Sequence, residues 1–212
     1  MGWIPALFGS IVDGMQFRKK RKVKMKRCLL LILWILFPYF LFGSQPAQKD
    51  NERAIYTAHN IWFENPQKVY AINFKRGIMI PAGTRVYKIN YTEGSPYYVQ
   101  FNIDGIDKKF SVYISQRWQP GLDEKQLISR MFTYKNFEEL TAGLSEEEIE
   151  MIKKGEVSVG MSKRAVEISY GFPPLHRTPS YEDNKNWVYW MSRNRVKYIS
   201  FDNDWKVARI SD

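Results

Sequence analysis

His59 and His176 are the side chains best suited to acid–base chemistry, because imidazole is the group whose ordinary pKa lies near neutrality. Neither stands in a metal-ligand spacing such as His-Glu-x-x-His, and the chain has no nucleophile elbow, phosphate loop or glycine-rich dinucleotide fingerprint. The carboxylate pairs Asp104/Asp107 and Asp202/Asp204 flank turns, where aspartate is favoured because its side chain bonds the local backbone. Glu146, Glu147 and Glu148 begin a helical pattern, at the end where the helix dipole favours negative charge. These types and spacings predict a protein that is not an enzyme, with no catalytic residue, no cofactor and no metal site.

The elements around these residues divide the chain near Pro120. Before it, apolar alternation predicts strands over 69–74, 77–80, 85–91, 97–103 and 109–114. Turns fall at Pro81-Ala82-Gly83 and Glu93-Gly94-Ser95-Pro96, and Asp104-Gly105 is a hairpin signal. Five short strands so spaced suggest an SH3-like β-barrel or a half-open sheet over 51–119. Residues 120–212 read as a helical connector and an α/β module. Asp123 with Gln126, and Ser145 with Glu148, have capping-box spacing, with Leu122/Leu127 and Leu144/Ile149 as hydrophobic staples. Lys153-Lys154-Gly155 closes the second helix with cations at the negative end of the dipole and glycine at the C-terminal cap.

From Gly155 onward the pattern is a short helix, a Gly-x-Pro break and a three-strand meander. Ser162 is the N-cap, Met161 staples onto Val166, and Gly171 ends the helix, which Pro173 and Pro174 keep from resuming. Strands follow at 187–191, 195–201 and 205–210. The ordered set Val157-x-Val159-Gly160-Met161-Ser162-Lys163, Gly171-Phe172-Pro173 and Trp187-Val188-Tyr189-Trp190 resembles the SmpA/OmlA family of BamE-like outer-membrane lipoproteins. The resemblance covers about 155–212 and implies an α+β fold with a helix pair packed on a three-stranded antiparallel sheet. It also implies a scaffold or accessory role without an active site.

The N-terminal residues 1–48 point to export. Eight of the ten residues from Arg18 to Arg27 are Lys or Arg, followed by an apolar run from Cys28 to Gly43, a basic n-region and h-region. The run is short against the ~20 residues that span a hydrocarbon core, and Pro38 interrupts it. No Ala-x-Ala site follows, so a cleaved signal and a retained inner-membrane anchor both stay open, as do Met1, Met15 and Met25 as the starting residue. Cys28 stands at the start of the apolar run rather than after it and cannot be the lipidated first residue of a mature lipoprotein, a departure from the family pattern. With eight cations and one carboxylate, residues 1–27 carry +7 of the net charge of +10, so the basic balance belongs to the n-region rather than to nucleic-acid binding. The rest faces the periplasm, by the positive-inside rule.

Aromatic residues carry the remaining signal. Trp187 and Tyr189 alternate with Val188 and Trp190 on one strand, so one face packs on helices and the other is open to a second domain of this chain or to a partner. Trp187, Tyr189, Trp190, Arg193 and Arg195 are therefore the candidate partner-binding residues. The loop 175–184 is long enough to be functional. The resulting expectation is a cell-envelope accessory or scaffold protein that binds an envelope protein, in outer-membrane assembly if the family resemblance carries over. A peptide- or cell-wall-binding groove around Trp62, Tyr70 or Tyr98, and a hydrolase inhibitor, are the alternatives. No oligomeric state follows from the sequence.

Overall fold

A computed structural model describes residues 53–92 and 97–212. The n-region, the apolar run with Cys28, the alternative starting residues and the Glu93–Pro96 turn lie outside the described residues. What is described is α+β. Strands β1 (Ile55–Thr57), β2 (Ile61–Phe63), β3 (Val69–Tyr70), β4 (Ile78–Ile80), β5 (Arg85–Thr92), β6 (Tyr98–Ile103) and β7 (Ile106–Tyr113) come first. Helix α1 (Glu124–Met131), β8 (Phe132–Thr133), α2 (Phe137–Thr141), α3 (Glu146–Lys154) and α4 (Lys163–Tyr170) follow, then β9 (Asn186–Ser192), β10 (Arg195–Phe201) and β11 (Val207–Ser211).

Period-two alternation builds the first sheet. In β6, Val99, Phe101 and Ile103 are buried while Tyr98, Gln100 and Asn102 are half-buried on the other face. The β6–β7 hairpin turns at Asp104-Gly105, and its register sets Phe101 opposite Phe110, whose rings stack at 5.3 Å. Six strands in the order β3-β7-β6-β5-β1-β8 form a curled half-barrel, antiparallel except for the β3–β7 pair. The sheet is open at β3 and β8, while β2 and β4 pair separately.

The first core extends past the expected division at Pro120. Helix α1 starts at the Asp123/Gln126 capping box and buries Leu127, Ile128 and Met131 among the barrel residues. Phe132 then enters β8, which pairs with β1, and its ring meets the edge of Phe101 at 5.2 Å. The expected strand 69–74 is only two residues long, because the chain turns at Asn73 with φ of 53°, a left-handed conformation that asparagine tolerates.

The second core lies between α3, α4 and the antiparallel meander β11-β10-β9. Both helices start as their sequence signatures predict, from the Ser145/Glu148 box and the Ser162 N-cap. Glu148 also joins the helices: one carboxylate oxygen accepts from Ser145 N at 3.1 Å and the other from Ser162 N at 2.6 Å. Burial works against its charge, but the donors at Ser162 and Ser145 and the nearby Lys206 leave it below the ordinary carboxylate range. Among the described residues no helix is long and apolar enough to cross a membrane, which says nothing of membrane-crossing strands.

Candidate functional site

The two cores are joined by a polar seam built on Asn60, between β1 and β2. Its backbone N–H donates to Ile168 O at 3.0 Å in α4, and its side-chain amide donates to Ile152 O at 2.7 Å in α3. Its Oδ1 accepts from Ala82 N at 2.8 Å, and its carbonyl accepts from Asn73 Nδ2 at 3.1 Å. Asn73 in turn accepts from Trp62 N at 3.0 Å, which fixes the start of β2. Every polar atom of the Asn60 side chain is thereby satisfied inside the protein, as burial demands.

Lys75 crosses the same seam. Its ammonium donates to Asn73 O and Tyr170 O and faces the rings of Trp62, Tyr170 and Tyr189 at 4.5, 5.1 and 5.4 Å. Burial of that end pushes its pKa well below the usual lysine value, while the carbonyls and rings favour the charge. His59 is buried beside it; burial lowers its pKa to about 4 against the opposing Asn60 carbonyl, with Lys75 adding to the shift. The adjoining cavity, bounded by His59, Ile61, Asn73, Arg130 and Phe172, has about 30 Å³, room for about one water.

A larger cleft of about 190 Å³ opens where β2 and β3 approach the β9–β10 turn. Trp62, Phe63, Tyr70 and Phe74 supply its aromatic wall, and Lys68, Arg76 and Arg193 its cations. Arg76 is paired with Glu64 at 2.9 Å. Among the described residues Lys68 and Arg193 have no ion-pair partner, and both are exposed. One face of Trp62 is covered by Lys75, and its six-membered ring edge lies against Gly155, where an added Cβ would come within 2.7 Å of Cζ2. Tyr70 and Phe74 meet at 77°, forming a corner.

Of the predicted partner-binding residues, only Arg193 lines this cleft. Trp187 and Tyr189 are 0% and 1% exposed in the second core, so in this fold they present no area to a partner. The face of β9 expected to be open is covered by the chain itself. Thr178 Oγ1 accepts from Val188 N at 3.1 Å, and Trp190 packs on Trp118 at 5.9 Å. His176 packs against both indoles, its Nδ1 2.7 Å from Trp118 O and its Nε2 accepting from Trp190 Nε1 at 3.3 Å. Both of its ring nitrogens are thus engaged in structure. Arg195 is exposed and pairs with Asp212 at 3.4 Å. Of the three aromatic residues named for a groove, Trp62 and Tyr70 line the cleft, whereas Tyr98 is elsewhere, against Tyr113 at 5.6 Å.

The motif residues from 160 to 173 bracket α4. Gly160 N and Met161 O exchange hydrogen bonds with Val207, and Lys163 reaches over the Trp205 ring at 4.0 Å. Ser162 caps the helix, Gly171 ends it and accepts from the Tyr189 hydroxyl at 2.8 Å, and Pro173 is buried after it. Sequence reasoning missed the roles of Asn60, Asn73, Lys75, Phe63, Lys68, Phe74 and Arg76, of which only Phe63, in β2, belongs to a strand of the structure. The strongest available signal was the cluster of aromatics and cations between 62 and 76. Comparison with protein-family models, curated proteins and solved structures finds no match for this chain.

Proposed function

We propose that the protein is a non-catalytic accessory or scaffold protein of the bacterial cell envelope, exported to the periplasmic side and engaging a partner protein through the seam cleft. The observation that carries the reading is the convergence of Trp62 from the β2–β4 pair, Tyr70 from the half-barrel and Arg193 from the β9–β10 turn in one cleft, where Arg193 and Lys68 are exposed and, among the described residues, without an ion-pair partner. Aromatic and arginine side chains together are the usual anchors of protein interfaces. The basic and apolar N-terminal pattern supports export, and the ordered motif from 157 to 190 supports kinship to BamE-like proteins, with an SH3-like character for the half-barrel.

Affinity capture of the tagged full-length chain from envelope fractions tests this reading. A specific protein recovered with the parent and lost with Arg193→Glu, but kept with Arg195→Glu, is the expected result. Equal recovery with both variants would remove the cleft from the interface. Sedimentation with isolated peptidoglycan in place of a protein partner would favour the cell-wall reading.

A further inference from the structure

We propose that the cleft takes an acidic peptide segment of the partner, with a carboxylate side chain set between Lys68 and Arg193 and a neighbouring apolar side chain in the Tyr70–Phe74 corner. The inference rests on the preceding reading of the cleft as a protein-binding site and specifies its ligand. Charge is the first argument. Of the three cations that line the cleft, Arg76 is already balanced by Glu64 at 2.9 Å, which leaves Lys68 and Arg193 for an incoming anion. They come from separate parts of the chain, the turn before β3 and the turn between β9 and β10, so the fold brings them together.

Ring geometry is the second argument. Sugar recognition uses flat, open aromatic faces, but one face of Trp62 is covered by Lys75 at 4.5 Å and its ring edge is packed on Gly155. Tyr70 and Phe74 stand at 77° to each other, so they form a corner that receives a branched or aromatic side chain edge-on. At about 190 Å³ the space holds one or two side chains rather than a polymer of rings. A guanidinium–carboxylate contact beside an apolar anchor gives both charge and shape selection.

The test is selection of end-blocked decapeptides from a random library on the full-length chain held in neutral detergent, with affinities of the enriched peptides measured at low and high salt. Asp or Glu next to an apolar residue should be enriched. Replacing the acidic residues by their amides, or Arg193→Glu in the protein, should weaken binding about tenfold or more. Lys68→Glu should act in the same direction, and Arg195→Glu, outside the cleft, should leave affinity unchanged. No acidic enrichment, or equal losses with Arg193→Glu and Arg195→Glu, would overturn the proposal, as would preferential binding of peptidoglycan fragments. If acidic selectivity is absent while partner capture still depends on Arg193, the ligand class fails and the partner-binding reading stands; if capture is also independent of Arg193, both fail.

Discussion

Asn60 donates its side-chain amide to the carbonyl of Ile152 at 2.7 Å, linking a residue just before β2 to helix α3, 92 positions later. With Ala82 N bonded to its Oδ1, this single side chain holds the half-barrel, the turn after β4 and the second core in one arrangement. Asn60→Ala leaves the Ala82 N–H buried without its acceptor and strips the Ile152 carbonyl of one of its two donors, the Gly155 N–H at 3.0 Å remaining. A loss of about 3 kcal/mol in unfolding free energy is expected from urea titration. A loss below about 0.5 kcal/mol, the range of ordinary surface changes, would contradict the role given to the seam.

Gly155 has φ of 68°, and a Cβ there would meet Met79 Sδ at 2.6 Å and Trp62 Cζ2 at 2.7 Å. Gly155→Ala therefore combines left-handed strain with overpacking against the wall of the cleft, and about 2–4 kcal/mol of destabilisation is expected. Indole fluorescence should shift in the native baseline, because Trp62 has to move. A variant with parental stability and spectrum would show that the contact gives way freely.

Trp190→Ala separates structure from recognition. It removes the indole donor to His176 and the packing on Trp118, and about 2 kcal/mol of stability should be lost. Partner capture by the folded variant should nevertheless match the parent, since Trp190 does not line the cleft. Parental stability together with lost capture would restore Trp190 as a contact residue.

His59 and Glu167 give opposing pH dependences. Burial lowers His59 from 6.5 to about 4, so its contribution is complete above pH 6.5 and is lost as pH falls through about 4. Burial raises Glu167 from 4.5 to about 7, with Lys163 opposing and Glu182 assisting, so its contribution is present below pH 4.5 and is lost as pH rises through about 7. Between these limits the two slopes cancel in the parent. His59→Leu should expose stability that rises toward acid, and Glu167→Gln stability that falls, each by up to about 1.4 kcal/mol per pH unit. Denaturant titrations at pH 5 and 6 with no difference between the variants would contradict both assignments.

Local chemistry was legible in the sequence. The Asp123, Ser145 and Ser162 caps, the Gly155 and Gly171 stops and the Asp104-Gly105 hairpin all stand where residue types placed them, because each depends on groups a few positions apart. The strands β1, β2 and β8 and helix α2 escaped notice because two to five residues carry no measurable periodicity. The division at Pro120 was read from a change of pattern, whereas α1 and β8 complete the first core through Ile128 and Phe132. Trp187 and Tyr189 looked available because alternation shows that β9 has two faces but not what covers each. The second core covers Trp187 and Tyr189, and Thr178 and Trp118 meet the alternate residues Val188 and Trp190 from 10 and 72 positions away in sequence. The cleft was partly visible: Trp62 and Tyr70 were named together for a groove and Arg193 separately with the C-terminal sheet, and only the tertiary seam brings the three together.

Photo-crosslinking in cells tests the partner-binding role of the cleft most directly. A photoreactive phenylalanine analogue at Tyr70, in the cleft, is compared with one at Tyr87, which is 39% exposed on β5 and does not line it. A discrete protein adduct at position 70, absent at 87 and abolished by Arg193→Glu, is the predicted result. Adducts of equal yield at both positions, or one at 70 that survives Arg193→Glu, would contradict the assignment of the cleft as the binding site.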